Sequence, residues 1–191
     1  MNKFAKIGLM TAVVVAMTSL ASAQINSGAQ PITLNAQLAE SLTMSLSAAN
    51  VNFTLTPGSA TNAGSTSITS TTSWVLKPGR TQVNMYAYFG SAASALVHQD
   101  PANTVDIPSS AVEISVNGGA NQALSTSEAN AVGFGAASAG KRLLNVPITG
   151  LNKVVTGRND TLAFNINLSS LAQLPADDYV GTVNIQVQAI N

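Results

Sequence analysis

Three groups of side chains in this sequence are of types that could do chemistry: His98, the adjacent pair Asp177 and Asp178, and the aromatics Trp74, Tyr86 and Tyr88. His98 is the only histidine, and the chain has no cysteine. A zinc site or a Ser-His-Asp triad would need partners at recognisable spacing, and the scattered carboxylates supply none. His98 therefore reads as a loop residue. Neighbouring aspartates in an extended chain point apart, so Asp177 and Asp178 lack the convergence of a glycosidase pair and read as turn residues. The chain contains no D-x-[DN]-x-[DN]-G calcium loop. Tyr86 and Tyr88 share one face of a strand pattern and could stack a sugar, with Trp74 near in sequence. The competing reading is a central strand buried on both faces, or cross-strand aromatic pairs. With acid–base groups so sparse, the expectation is a protein that is not an enzyme and holds no cofactor or metal.

The elements that would position these residues are strands. Leu162, Phe164, Ile166 and Leu168 alternate with Ala163, Asn165 and Asn167. Val183, Ile185, Val187 and Ala189 alternate with Asn184, Gln186 and Gln188. A period of two puts each apolar set on one face of a half-buried sheet. Pro175 and the two aspartates lie between the runs, which are expected to pair as an antiparallel hairpin. Val83, Met85, Ala87 and Phe89 form another apolar face, opposite Asn84, Tyr86 and Tyr88. Val112, Ile114 and Val116 end at Asn117-Gly118-Gly119, a strong turn signal. Leu144, Val146 and Ile148 make a further strand, and Gln122 to Ser127 could pair back. Ile32, Leu34, Ala36 and Leu38 alternate, then Leu42, Met44 and Leu46, then Val51, Phe53 and Leu55. Ser59 to Ser73 reads as a weak strand or a loop, and Ala129 to Gly140 as a Gly/Ala-rich loop. No helix is convincing after the leader. Eight or nine short strands predict an all-β, immunoglobulin-like antiparallel sandwich in one domain, residues 24–191.

Residues 1–23 read as a Sec-type signal peptide. Lys3 and Lys6 precede an apolar run, and Ala21-Ser22-Ala23 is a small-x-small cleavage site. The expected location is the periplasm, the cell surface or the medium, with no transmembrane segment once the leader is removed. Only 8% of the chain is charged, against about 25% in ordinary soluble domains. No basic cluster is present, which excludes the electrostatic footprint of a nucleic-acid binder. Without cysteine, no disulfide holds the fold, and packing must do so.

The terminal run is well formed as far as Asn191. At a sheet edge its free backbone groups would be a template for another strand, as in donor-strand complementation. The stretches PITLNAQLAESLTMSL, ANVNFTL and LAQLPADDYVGTVNIQVQAIN carry a resemblance. They are similar to secreted spore-coat-protein-U-like and archaic chaperone–usher pilin domains, which end in a strand of the form LPAGxYxDTVxVxV. Leu174, Pro175, Ala176, Tyr179, Thr182, Val183, Ile185 and Val187 match that ending. The family's usual cysteines are absent, Asp177-Asp178 replaces its Gly-x turn, and Gly181 replaces a polar residue. The resemblance implies a structural subunit of a fimbrium or coat. Its partners would be copies of itself or homologous subunits, and a periplasmic chaperone. Strand exchange would then use Ile32, Leu34, Ala36 and Leu38 as donor, with Ala39-Glu40-Ser41 as linker, and Val183, Ile185 and Val187 as acceptor. Alternatively residues 24–39 pair within their own chain as a first strand, or the domain is a polysaccharide-binding module using Trp74, Tyr86 and Tyr88.

Overall fold

A computed structural model describes residues 30–191, so the expected signal peptide and the expected start at Gln24 lie outside the described residues. Residues 38–191 form one compact unit, and residues 30–37 belong to another. Among the described residues are ten strands: β1 Ser41–Leu46, β2 Ile68–Val75, β3 Gln82–Tyr88, β4 Val97–His98, β5 Val112–Val116, β6 Gln122–Ala123, β7 Gly140–Pro147, β8 Val154–Ile166, β9 Tyr179–Val180 and β10 Asn184–Ile190. One sheet has the order β1-β2-β8-β5-β6, a second the order β10-β3-β7, and β4 with β9 makes a short strap. Every pairing is antiparallel. The only helical pieces among the described residues are 3-10 turns at Ser109–Ala111 and Asn130–Val132. The chain is all-β, as its periodicity predicts.

β8 organises the first sheet because it is thirteen residues long. Val154 to Leu162 pair with β2, and Leu162 to Ile166 pair with β5. The β2 register shifts between Thr72 and Trp74. Gly157 sits opposite this bulge at φ +74°, a conformation other residues adopt at a cost, and its N–H donates to Ser73 Oγ at 2.9 Å. β2 is a full strand where the sequence suggests only a weak one. Its inward positions are Ile68, Ser70, Thr72 and Trp74, all buried, so two hydroxyls replace the expected apolar residues. At the β5–β6 hairpin Asn117 and Gly118 have φ of 53° and 72°, and Gly119 N–H donates to Val116 O at 2.9 Å. That is the type I′ geometry an Asn-Gly pair favours.

The two C-terminal runs do not form a hairpin with each other. β8 pairs with β2 and β5, whereas β10 pairs with β3 in the other sheet. The chain between them crosses from one sheet to the other. Leu168 N–H bonds to Ser59 O at 2.8 Å, and β9 is diverted onto β4. Both runs keep their apolar faces inward, but from opposite sides of the core.

The interior falls into three clusters. Met85, Ala87, Ile114 and Leu162 lie in the central one. Ile107, Ile166, Leu168 and Leu174 form a second, and Trp74, Leu76 and Val83 a third. The Gly/Ala-rich loop is packed down. Phe134 meets Tyr86 edge-on and stacks on Tyr88, each at a centroid distance of 5.7 Å. Gly135 is required there, because a Cβ would come within 2.5 Å of Tyr88 Cδ2.

Candidate functional site

After β1 the chain stays extended without becoming a paired strand. Val51, Phe53 and Leu55 turn inward while Asn52 and Thr54 are exposed. Asn52 bonds to Ser65 through both backbone groups: its N–H donates to Ser65 Oγ at 3.2 Å, and its carbonyl accepts Ser65 N–H at 2.8 Å. Among the described residues Val51, Phe53 and Leu55 make no backbone hydrogen bond, so this segment has a partner on one edge only. Gly64 lets it lie close, since a Cβ there would fall 2.5 Å from Val51 Cγ1.

Asn62 fixes the end of this segment to β8. It is 4% exposed. Its Oδ1 accepts Thr56 N–H at 2.7 Å, its Nδ2 donates to Ile166 O at 2.8 Å, and its N–H donates to Asn165 Oδ1 at 2.9 Å. Asn62→Ala leaves Thr56 N–H and Ile166 O without these partners and should cost about 2–3 kcal/mol. Urea denaturation measures that loss, and a change below about 0.5 kcal/mol would show the amide to be dispensable.

Facing this segment is β10, which has β3 on one side and no strand on the other. Its open edge meets the gap at the strand's start, where Ile185 is the residue of β10 that lines it. The gap is a groove of about 1020 Å³. One wall runs from Leu46 to Leu55, the other from Leu174 to Ile185, and Ile68, Phe89, Val112 and Phe164 lie on its floor. An apolar trough between two unsatisfied strand edges has the shape and chemistry to receive a strand.

Val183 and Ile185 line this groove, and Val187 packs on the central cluster further along β10. Ile32, Leu34 and Leu38 are 83%, 88% and 80% exposed, and Ala36 is exposed too. Residues 30–40 contain no strand. The long first strand that the alternation suggests thus begins only at Ser41. Alternation alone could not separate a paired strand from an unpaired one. The groove wall at Val51 to Leu55 carries the same odd-position alternation, but nothing in its sequence shows that one edge is left open.

The aromatic residues do not make an open platform. Trp74 is 2% exposed, faces the core from the first sheet, and donates from Nε1 to Asn152 O at 2.8 Å. Tyr86 is 3% exposed beneath Phe134. Tyr88 lies in the second sheet with Tyr86 and donates to Gln186 Oε1 at 2.9 Å. This is the reading in which β3 is central and buried on both faces.

His98 and Asp177 organise the strap beside the groove. His98 Nδ1 lies 2.6 Å from Asp106 Oδ1. The Ser94 hydroxyl, then the His98 backbone N–H and ring, hold the Asp106 carboxyl below its ordinary range. Asp177 accepts from Asn103 Nδ2 at 2.9 Å, Asp100 N–H at 3.1 Å and Asp178 N–H at 2.7 Å. The Asn103 amide is the main reason its pKa is lowered. A carboxylate with a depressed folded pKa stabilises the fold above its unfolded value, and that stability is lost as pH falls through the folded one. The strap should therefore hold at neutral pH and loosen once pH drops below the ordinary aspartate range of about 3.9. Faster amide exchange at Tyr179 and Val180 in acid would show it, and unchanged exchange there would remove Asp177 from this role.

Among the described residues no three His, Cys, Asp or Glu side chains come together to hold a metal, and no helix is long and apolar enough to cross a membrane. Comparison of the chain with family models, curated proteins and solved structures gave no match.

Proposed function

We propose that this chain is an exported, non-enzymatic structural subunit that assembles by strand exchange, with Ile32 to Leu38 of one subunit filling the groove of the next. One juxtaposition carries the reading. The chain has a groove with an apolar floor between the start of β10 and the extended segment Val51–Leu55, and an exposed segment whose apolar residues alternate as a groove-filling strand requires. Seven residues from Ile32 to Leu38 span about 20 Å when extended, the length of the seven-residue β10. Burying Ile32, Leu34 and Leu38 would contribute about 5–9 kcal/mol at the usual 1.5–3 kcal/mol for each large aliphatic side chain. Backbone bonds to β10 on one side and to Val51–Leu55 on the other would add direction. The all-β sandwich is compatible with the immunoglobulin-like fold implied by the spore-coat and pilin resemblance, and the leader supports export.

The test compares residues 24–191 with a chain beginning at Glu40. Strand exchange predicts large, heat-resistant assemblies from the first. From the second it predicts a marginal monomer that added peptide 24–39 stabilises, by about 2.7 kcal/mol at a hundredfold excess over its Kd. A stable monomer from 24–191, with no response to peptide, would overturn the proposal.

A further inference from the structure

Asn117 is the only asparagine of the chain followed by glycine, and the fold leaves both residues exposed at the tip of the β5–β6 turn. Gly118 has φ +72° and no side chain to shield its backbone nitrogen. That N–H donates no hydrogen bond among the described residues. The neighbouring amides do: Asn117 N–H donates to Thr161 O at 2.8 Å, and Gly119 N–H to Val116 O at 2.9 Å. The Asn117 side chain is held by β8 at both of its polar atoms. Its Oδ1 accepts Thr161 N–H at 2.8 Å, and its Nδ2 donates to Asp160 Oδ1 at 2.8 Å. A carboxamide and a free backbone nitrogen that could attack it are thus adjacent in the chain, and two hydrogen bonds to β8 restrain the carboxamide.

We propose that Asn117 is a self-modification site, where the side-chain amide is exchanged for a carboxylate when the turn opens. The Gly118 nitrogen gives its proton to hydroxide and attacks Asn117 Cγ. A C–N bond forms, the Cγ–Nδ2 bond breaks, and Nδ2 leaves as ammonia with a proton taken from water. The five-membered imide that remains takes up water and opens. Opening at Cγ gives aspartate; opening at the main-chain carbonyl gives isoaspartate, with the backbone rerouted through Cγ. Overall a water enters and an ammonia leaves, without oxidation or reduction. Ring closure requires the carboxamide to leave Thr161 and Asp160, so the folded turn guards the site and local opening sets the rate. The product does not fit the same place. It sets a carboxylate oxygen where Nδ2 now donates, against Asp160, whose Arg158 partner is already bonded to both of its oxygens. Isoaspartate also adds a backbone carbon to a two-residue turn whose fit depends on its length. The damage falls where β8 passes from one neighbour to the other, since Leu162 is partnered by both Ile68 and Val116. Ammonia is lost to solvent, so the change is one-way and accumulates with the age of the chain.

The experiment incubates residues 24–191 at mildly alkaline pH, folded and in urea, and maps aspartate and isoaspartate at position 117 by proteolysis and mass spectrometry. The Asp160→Ala chain is treated in the same way, once circular dichroism has shown it folded. The inference expects conversion at Asn117 in the folded chain, roughly tenfold or more slower than in urea. It expects Asp160→Ala, which frees Nδ2, to lose most of that protection. Hydrogen exchange in Asn117→Asp gives a reading that does not depend on how Asp160→Ala folds. There the Thr161 amide, now bonded to Asn117 Oδ1, should exchange roughly tenfold faster than in the unmodified chain. Conversion as fast in the folded chain as in urea would show that the turn guards nothing. No conversion in the folded chain would remove the site, and unchanged exchange at Thr161 in Asn117→Asp would show that the turn accepts the product. Any one of these results overturns the inference.

Discussion

Leu34→Asp should leave the fold of residues 38–191 intact and abolish assembly. Leu34 is 88% exposed, so its replacement removes no packing from the folded unit and should shift its stability by less than about 0.5 kcal/mol. In the groove the same residue would place an unpaired carboxylate on an apolar floor, a cost of several kcal/mol on transfer. At about 1.4 kcal/mol per tenfold, even 4 kcal/mol is roughly a thousandfold in affinity. Size-exclusion chromatography with a thermal melt separates the two effects. Monomers only, melting as the chain that begins at Glu40 does and without the heat resistance of the assembly, is the expected outcome. Assemblies persisting in Leu34→Asp would mean that residues 32–38 are not the donor.

A loss of stability as large as that at Asn62 is expected at Asp160. It is 1% exposed and accepts from Arg158 Nε at 2.8 Å, Arg158 Nη2 at 2.9 Å and Asn117 Nδ2 at 2.8 Å. Removing one member of a fully buried ion pair typically costs 3–5 kcal/mol. Here the Arg158 side chain is 33% exposed and water can reach it, so Asp160→Ala should cost about 2–3 kcal/mol. Asn117 also loses its hold on the β5–β6 turn. Arg158→Met combined with Asp160→Leu should recover most of that, because an apolar pair of similar volume often matches a buried ion pair. Urea denaturation of the three chains decides it. If the double variant proves as unstable as Asp160→Ala, the loss lies in the hydrogen bonds to the turn and not in the orphaned charge.

Much of the fold is legible in the sequence because a half-buried strand writes its own pattern. β3, β5, β8 and β10 all show it, and the Asn117-Gly118 turn adds its own chemistry. Pairing is another matter. β8 and β10 are consecutive long strands with turn residues between them, yet they face each other across the core. Alternation specifies which face is buried, not which sheet bears it. β2 was hard to see because Ser70 and Thr72 occupy inward positions, with Asp160 directly across the strand pair from Ser70. Burial of the aromatics is one of the readings the sequence leaves open; what it does not show is that Phe134 covers Tyr86, or that Trp74 packs with Leu76 and Val83. The groove is written only in part. Val183 and Ile185 are recognisable as one wall, but the opposite wall exists because no strand pairs with Val51, Phe53 and Leu55. A missing neighbour leaves no trace in the residues beside the gap.

The placement of Trp74 has an optical consequence. It is the only tryptophan of the chain, and it packs with Leu76 and Val83 in a cluster that contributes no residue to the groove. Excited selectively, its emission reports on that closed part of the sandwich alone. Tyr179, which lines the groove, absorbs in the same region but emits separately. A melt read through the indole and one read through the tyrosines should therefore part company if the groove end opens first, and coincide once a bound strand has tied the two halves into one cooperative unit.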